Sequence, residues 1–96
     1  MAVGDVASAH VSIGAGSSYN IRPGNGQEMN VHNVYVPNGV TILLYKTDGT
    51  NDVLVETLTG SMLLYNFHLT YSCYLKLVNG GASPVWCGYD GVWTKV

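Results

Sequence analysis

Three histidines, two cysteines and six carboxylates are the side chains of this chain that could hold a metal or move a proton. A transition-metal site needs convergent ligands, which in sequence usually appear as Cys or His residues a few positions apart. His10, His32 and His68 lie on well-separated segments, and Cys73 and Cys87 form no CxxC pair. Scattered histidines of this kind are more often hydrogen-bonded strand or loop residues than ligands. Hydrolysis would require paired carboxylates, or a nucleophile with an adjacent base. Glu28, Glu56 and Asp90 fall on different segments, and no Gly-x-Ser-x-Gly elbow is present. Asp48-Gly49-Thr50-Asn51-Asp52 is rich in oxygen ligands but lacks the downstream Glu of a helix-loop-helix calcium site. Its Asp-Gly step reads as a hairpin turn. Pro23-Gly24-Asn25-Gly26 precedes a strand, so it has no helix N-terminus with which to cradle phosphate. The residues point to no catalytic group, no metal and no cofactor.

The aromatic residues carry more signal. Seven tyrosines, two tryptophans and one phenylalanine make up 10% of the chain. Tyr19, Tyr45, Tyr74, Trp86 and Trp93 fall at strand ends or on outward positions, whereas Tyr35, Phe67 and one Trp are expected to fill the interior. Tyr, Trp and Arg are enriched in interface cores because they bury large areas and keep polar tips. The expected contact residues are therefore Tyr19, Arg22, Tyr45, Trp86 and Trp93. Exposed aromatic rings also stack on sugars, which makes a glycan-binding module the rival reading.

Charge is sparse. Asp, Glu, Lys and Arg amount to 10% of the 96 residues, while 47% are apolar; an ordinary domain carries roughly a quarter charged residues. A chain of this length buries only about 60–65% of its unfolded surface, so part of the exterior is expected to be covered by other protein. The net charge of −2 and the even spread of Arg22, Lys46, Lys76 and Lys95 argue against nucleic acid, which needs a clustered basic face. No apolar run approaches the ~20 residues of a membrane-spanning helix. The first 18 residues lack the basic start and apolar block of a signal peptide, which fits synthesis in a reducing cytoplasm.

The elements that must position these side chains read as strands. Twelve glycines, three prolines and many Asn, Asp and Ser residues punctuate short β-favouring runs, and no apolar set repeats at helical spacing. Residues 1–9 read as a loose N-terminal arm able to order on a neighbour, followed by an edge strand over 9–13. Further strands are expected over 19–22, 28–36, 40–46, 53–57, 62–66, 73–78, 85–89 and 92–95. In the run over 28–36, Met29 and Val31 share one face and Val34 and Val36 the other, so the phase slips near His32-Asn33, as at a bulge or a crossing between sheets. Asp90-Gly91 reads as a last tight turn. A hairpin near Gly80 could bring Cys73 opposite Cys87, but spacing alone does not pair them, and free thiols are expected. The fold class is all-β: one domain, residues 1–96, an antiparallel sandwich or jelly-roll-like barrel.

Several segments resemble small accessory virion proteins of tailed bacteriophages. They are Ile21-Arg22-Pro23, the run from Glu28 through His32-Asn33-Val34-Tyr35-Val36, Tyr45-Lys46-Thr47-Asp48-Gly49, Phe67-His68-Leu69-Thr70 leading into Tyr74-Leu75-Lys76-Leu77, and the closing Gly88-Tyr89-Asp90-Gly91-Val92-Trp93-Thr94-Lys95. The closing segment is the most distinctive. The resemblance implies a structural protein rather than an enzyme: a homotrimeric decoration or cement protein on the outer surface of the head, gripping the major capsid protein. It names no catalytic residue, and a tail-fibre or fibre-tip role in glycan or receptor binding is its alternative.

Overall fold

The computed structural model describes residues 2–96. Eight antiparallel strands form: β1 (Val6–Ile13), β2 (Ser18–Ile21), β3 (Glu28–Tyr35), β4 (Val40–Thr47), β5 (Asp52–Thr59), β6 (Phe67–Thr70), β7 (Cys73–Asn79) and β8 (Val85–Lys95). They hydrogen-bond in the order β1-β8-β3-β6-β7-β4-β5, with β2 also beside β7. β6 meets β7 through one pair only, Thr70 opposite Cys73. The sheet folds over at that corner into two four-stranded halves, β1-β8-β3-β6 and β2-β7-β4-β5. Each half interleaves strands from distant parts of the chain, which is the jelly-roll arrangement of two Greek keys around one interior.

One apolar cluster fills the space between the halves. Ala7, Ile13, Met29, Val31, Val34, Leu69 and Cys87 enter it from the first half, and Ile21, Val40, Ile42, Leu75 and Leu77 from the second. Burying each of the larger aliphatic side chains stabilises by about 1.5–3 kcal/mol relative to exposure. Apart from β5, which is exposed along nearly its whole length, the strands broadly alternate inward and outward, and β3 keeps its inward set through a bulge. Its register with β8 shifts between Val31 and Asn33, so His32 has no partner of its own. The extra residue restores Val34 to the side of Met29 and Val31, and all three are buried. Tyr35 therefore points outward, correcting the expectation that it fills the interior.

Three other expectations change. Asp90-Gly91 is no turn: β8 runs unbroken through it, pairing Gly91 with Ala7 on one side and Val31 on the other. The run over 62–66 is irregular except for one bridge from Met62 to Val34, and the strand begins at Phe67. Residues 6–9 of the expected arm are the opening of β1, in continuous register with β8 from Val6 opposite Val92. Ala7, mid-way along that stretch, is buried, so a cut after residue 9 would strip an interior side chain. Residues 2–5 form a short turn in which the Gly4 amide donates to the Trp93 carbonyl at 2.8 Å; Met1 lies outside the described residues. Cys73 and Cys87 are free, because the jelly roll places β7 and β8 in different halves.

Candidate functional site

The outer face of the β1-β8-β3 layer carries a line of aromatic rings. His10, Gly88 and Tyr35 stand in one row across the three strands, and cross-strand partners share a face. The phenol end of Tyr35 sits directly above Gly88. A Cβ on that glycine would lie 2.3 Å from Tyr35 Cζ and Oη, so only the missing side chain lets the ring settle there. His10 follows with its ring centroid 6.0 Å from Tyr35. Trp86 then stacks on His10 at 4.9 Å with an interplanar angle of 10°. Trp86 is 60% exposed. Ser12 is its direct cross-strand partner and Ser8 faces Asp90, so hydroxyls border the rings. The Asp90 carboxylate accepts a hydrogen bond from Asn33 Nδ2 at 2.7 Å and is tied down beside them.

The outer face of the other half is clamped shut. Arg22 donates from Nε to the Tyr71 carbonyl at 2.8 Å. Its guanidinium lies 3.9 Å from the Tyr71 ring centroid and 4.5 Å from that of Tyr74. Tyr74 stacks on Tyr45 at 5.6 Å and donates its hydroxyl to Asp52 at 3.0 Å. The hydroxyl of Thr47, and then that of Tyr74, hold the Asp52 carboxyl below its ordinary value. Arg22 and Tyr45 thus serve an internal brace joining β2, β4, β5 and the β6–β7 turn. Tyr19 and Trp93 are half-buried against the core. Of the five residues singled out from sequence, Trp86 alone presents a freely exposed ring. No family model matches the chain, and no curated protein matches it.

The histidines stay apart: His10 on the ring face, His32 at the bulge, and His68 with its Nε2 2.8 Å from Glu28 Oε1. The Asp48 carboxylate is spent inside its own turn, where Oδ1 accepts the Asn51 amide at 2.7 Å and the Thr50 amide at 2.8 Å. These amides hold Asp48 below its usual range, Asn51 first.

Apolar surface is concentrated at two further places. β5 pairs only with β4 and leaves its other edge open, and along it Val53, Leu54 and Val55 are 59%, 47% and 52% exposed. A register shift opposite Leu44/Tyr45 leaves Val55 unpaired. Between β5 and β6, Leu63, Leu64 and Tyr65 also face outward, with Leu64 92% exposed and at φ 60. That left-handed conformation costs a non-glycine residue about 1–2 kcal/mol. It is held by the Leu64 amide donating to Asn33 Oδ1 at 3.0 Å and the Tyr65 amide donating to the His32 carbonyl at 2.9 Å.

Two phenols give this fold an alkaline limit. Burial, then the Asp52 carboxylate, keep Tyr74 protonated above the ordinary value of 10.0; burial, then Tyr19, do the same for Tyr89. Unfolded tyrosines ionise near pH ~10, so above that pH the folded chain binds more protons than the unfolded one and stability falls as pH rises. The denaturant midpoint should drop between about pH 9 and about pH 11. The Tyr74→Phe/Tyr89→Phe double variant should flatten that slope, whatever it does to absolute stability.

Proposed function

We propose that this protein is a structural component of a virion, a decoration or cement protein of a tailed bacteriophage. It acts as a homo-oligomer, a trimer after the resemblance, that bridges capsomers from the outer surface of the head. The observation that carries this reading is β5. An edge strand of eight residues with three consecutive exposed apolar side chains is a template for pairing and aggregation unless another chain covers it. The sparse charge and the exposed Leu63–Tyr65 loop add apolar surface of the same kind. Jelly rolls build both capsid and lectin domains, so the fold is compatible with this role without selecting it.

In such an assembly, apolar burial contributes about 25 cal/mol per Å², and contacts to several capsomers from one oligomer add as avidity. The rival reading, a glycan- or receptor-binding module of a tail fibre or tip, would put the same chain elsewhere on the particle. Light scattering and cosedimentation with empty heads test the proposal. The protein should be oligomeric and pellet with heads. Val55→Lys should fold normally, since Val55 is exposed and unpaired, yet lose both behaviours. A wild-type monomer that leaves heads in the pellet and itself in the supernatant would overturn the reading.

A further inference from the structure

We propose that the Trp86–His10–Tyr35 face binds a neutral, β-linked saccharide, with pyranose rings stacked on the exposed aromatic surface and hydrogen-bonded by the serine hydroxyls beside it. The inference does not rest on the assembly role, because this face lies on the opposite layer from β5 and would serve a head or a tail protein equally.

Several observations select this ligand class. The rings follow one another at 6.0 and 4.9 Å across three strands, with the His10 and Trp86 planes within 10°. His10 therefore covers one face of the indole and Tyr35 is tilted by 33° from His10, so the ring surface open to a sugar is the uncovered part of Trp86, flanked by the other two rings. A residue needed only for packing would be covered, whereas Trp86 is 60% exposed while the smaller ring of His10 covers part of it. The array is also built rather than incidental. Gly88 is buried with its Cα beneath the Tyr35 phenol, and any side chain there would expel that ring.

Charge then narrows the ligand. Arg22, Lys46 and Lys76 belong to the other half of the sandwich, and Lys95 is nine residues along β8 from Trp86, about 30 Å at strand rise. Among the described residues no Arg or Lys lies at this face, which disfavours phosphates, sulfated glycans and nucleic acid. The one nearby carboxylate, Asp90, is held by Asn33. A gluco-configured β-pyranose fits what remains. Its ring hydrogens are axial and make both faces apolar, while its equatorial hydroxyls point sideways, where Ser12 stands opposite Trp86.

The test is a titration of isotope-labelled protein with cellotetraose and with a chitin tetrasaccharide, following the Trp86 indole N–H and the His10 ring by NMR. Saturable shifts with a Kd of about 1 mM are expected for at least one sugar. Trp86→Ala should weaken binding by about tenfold or more. Gly88→Ala, which lifts Tyr35 from its seat, should weaken it several-fold while oligomeric state and capsid pelleting stay as in wild type. Linear, non-saturating shifts with both sugars, or saturable shifts that survive Trp86→Ala, would overturn the proposal. So would protection of Trp86 from a fluorescence quencher by empty heads in the absence of any sugar response, since the face would then be a protein contact. Loss of capsid pelleting with sugar binding intact would instead overturn only the assembly reading.

Discussion

Gly91→Ala is expected to leave the chain largely unfolded, with a stability loss of about 4 kcal/mol or more. A Cβ at this position would lie 1.9 Å from the Asn30 carbonyl oxygen, 2.7 Å from Val31 Cα and 2.8 Å from the Asn30 carbonyl carbon. All three are backbone atoms of β3, so no rotamer change can make room. The methyl could be accommodated only by moving β3 off β8 beside the His32 bulge, which would break ladder bonds worth about 0.5–1.5 kcal/mol each and open the core between Met29 and Val34. A domain of this size has a total stability of about 5–14 kcal/mol, so the loss is a large share of it. Gly88→Ala is the internal control. Its Cβ also falls 2.3 Å from a neighbour, but that neighbour is the mobile phenol end of Tyr35, and the cost should be about 1 kcal/mol or less. Guanidinium unfolding followed by circular dichroism compares the two. Equal midpoints for Gly91→Ala and wild type would mean that β3 and β8 do not approach so closely.

The same two glycines show where sequence reasoning holds and where it stops. Strand-forming runs, their turn punctuation and the phase slip at His32-Asn33 were all legible, because alternation and turn chemistry are local properties. The slip had a consequence that alternation alone could not assign: a bulge puts Val34 inside and Tyr35 outside, a strand crossing would not. Asp90-Gly91 has the composition of a turn, yet Gly91 is required there for close approach to Asn30 and Val31, on a strand far earlier in the chain. No local pattern separates those two uses of glycine. The run over 62–66 has strand composition, but Asn33 and His32 capture its amides in an irregular loop. Residues 6–9, Val-Ala-Ser-Ala, belong to a stretch dominated by small residues and read as an arm, although β8 supplies them with a full ladder. Likewise, Arg22 and Tyr45 looked available because their partners, Tyr71, Tyr74 and Asp52, come from elements that only the jelly-roll connections bring together. The ring line on the first half was only one-third visible. Trp86 could be named from its outward phase, but His10 and Tyr35 join it through a row across three strands, and Gly88 by having no side chain at all.

Asn79→Ala should cost about 3 kcal/mol, and Asn79→Asp should reverse the sign of the protein's acid pH dependence. Among the described residues Asn79 is the one fully buried polar side chain. Its Nδ2 donates to the carbonyls of Ser83 at 2.9 Å, Ile13 at 3.0 Å and Gly14 at 3.3 Å, and its Oδ1 accepts the Gly81 amide at 2.9 Å. Its backbone joins the same knot, donating to the Ser17 carbonyl and accepting from the Gly16 amide, both at 2.9 Å. The residue therefore ties the β1–β2 loop to the β7–β8 loop at one end of the sandwich. Alanine would take the side-chain partner from the Ile13 and Ser83 carbonyls and from the Gly81 amide, while the Gly14 carbonyl keeps the Ser17 amide, and hydrogen exchange should rise first at residues 14–17 and 80–84. Aspartate has nearly the same shape but, once ionised, has no donor to offer three carbonyl oxygens. Those oxygens and the burial would hold its carboxyl protonated in the folded state well above the unfolded value of about 3.9. As pH rises past that value the unfolded chain releases its proton first, so the variant should lose stability from about pH 4 upward. In wild type, by contrast, the depressed carboxyls of Asp48 and Asp52 make stability fall only as pH drops below their unfolded value of 3.8 and through their lower folded values. Between about pH 4 and about pH 7 the denaturant midpoint should therefore fall in the variant while that of wild type does not, and parallel movement would show that the Asn79 amide is not the donor that holds these loops.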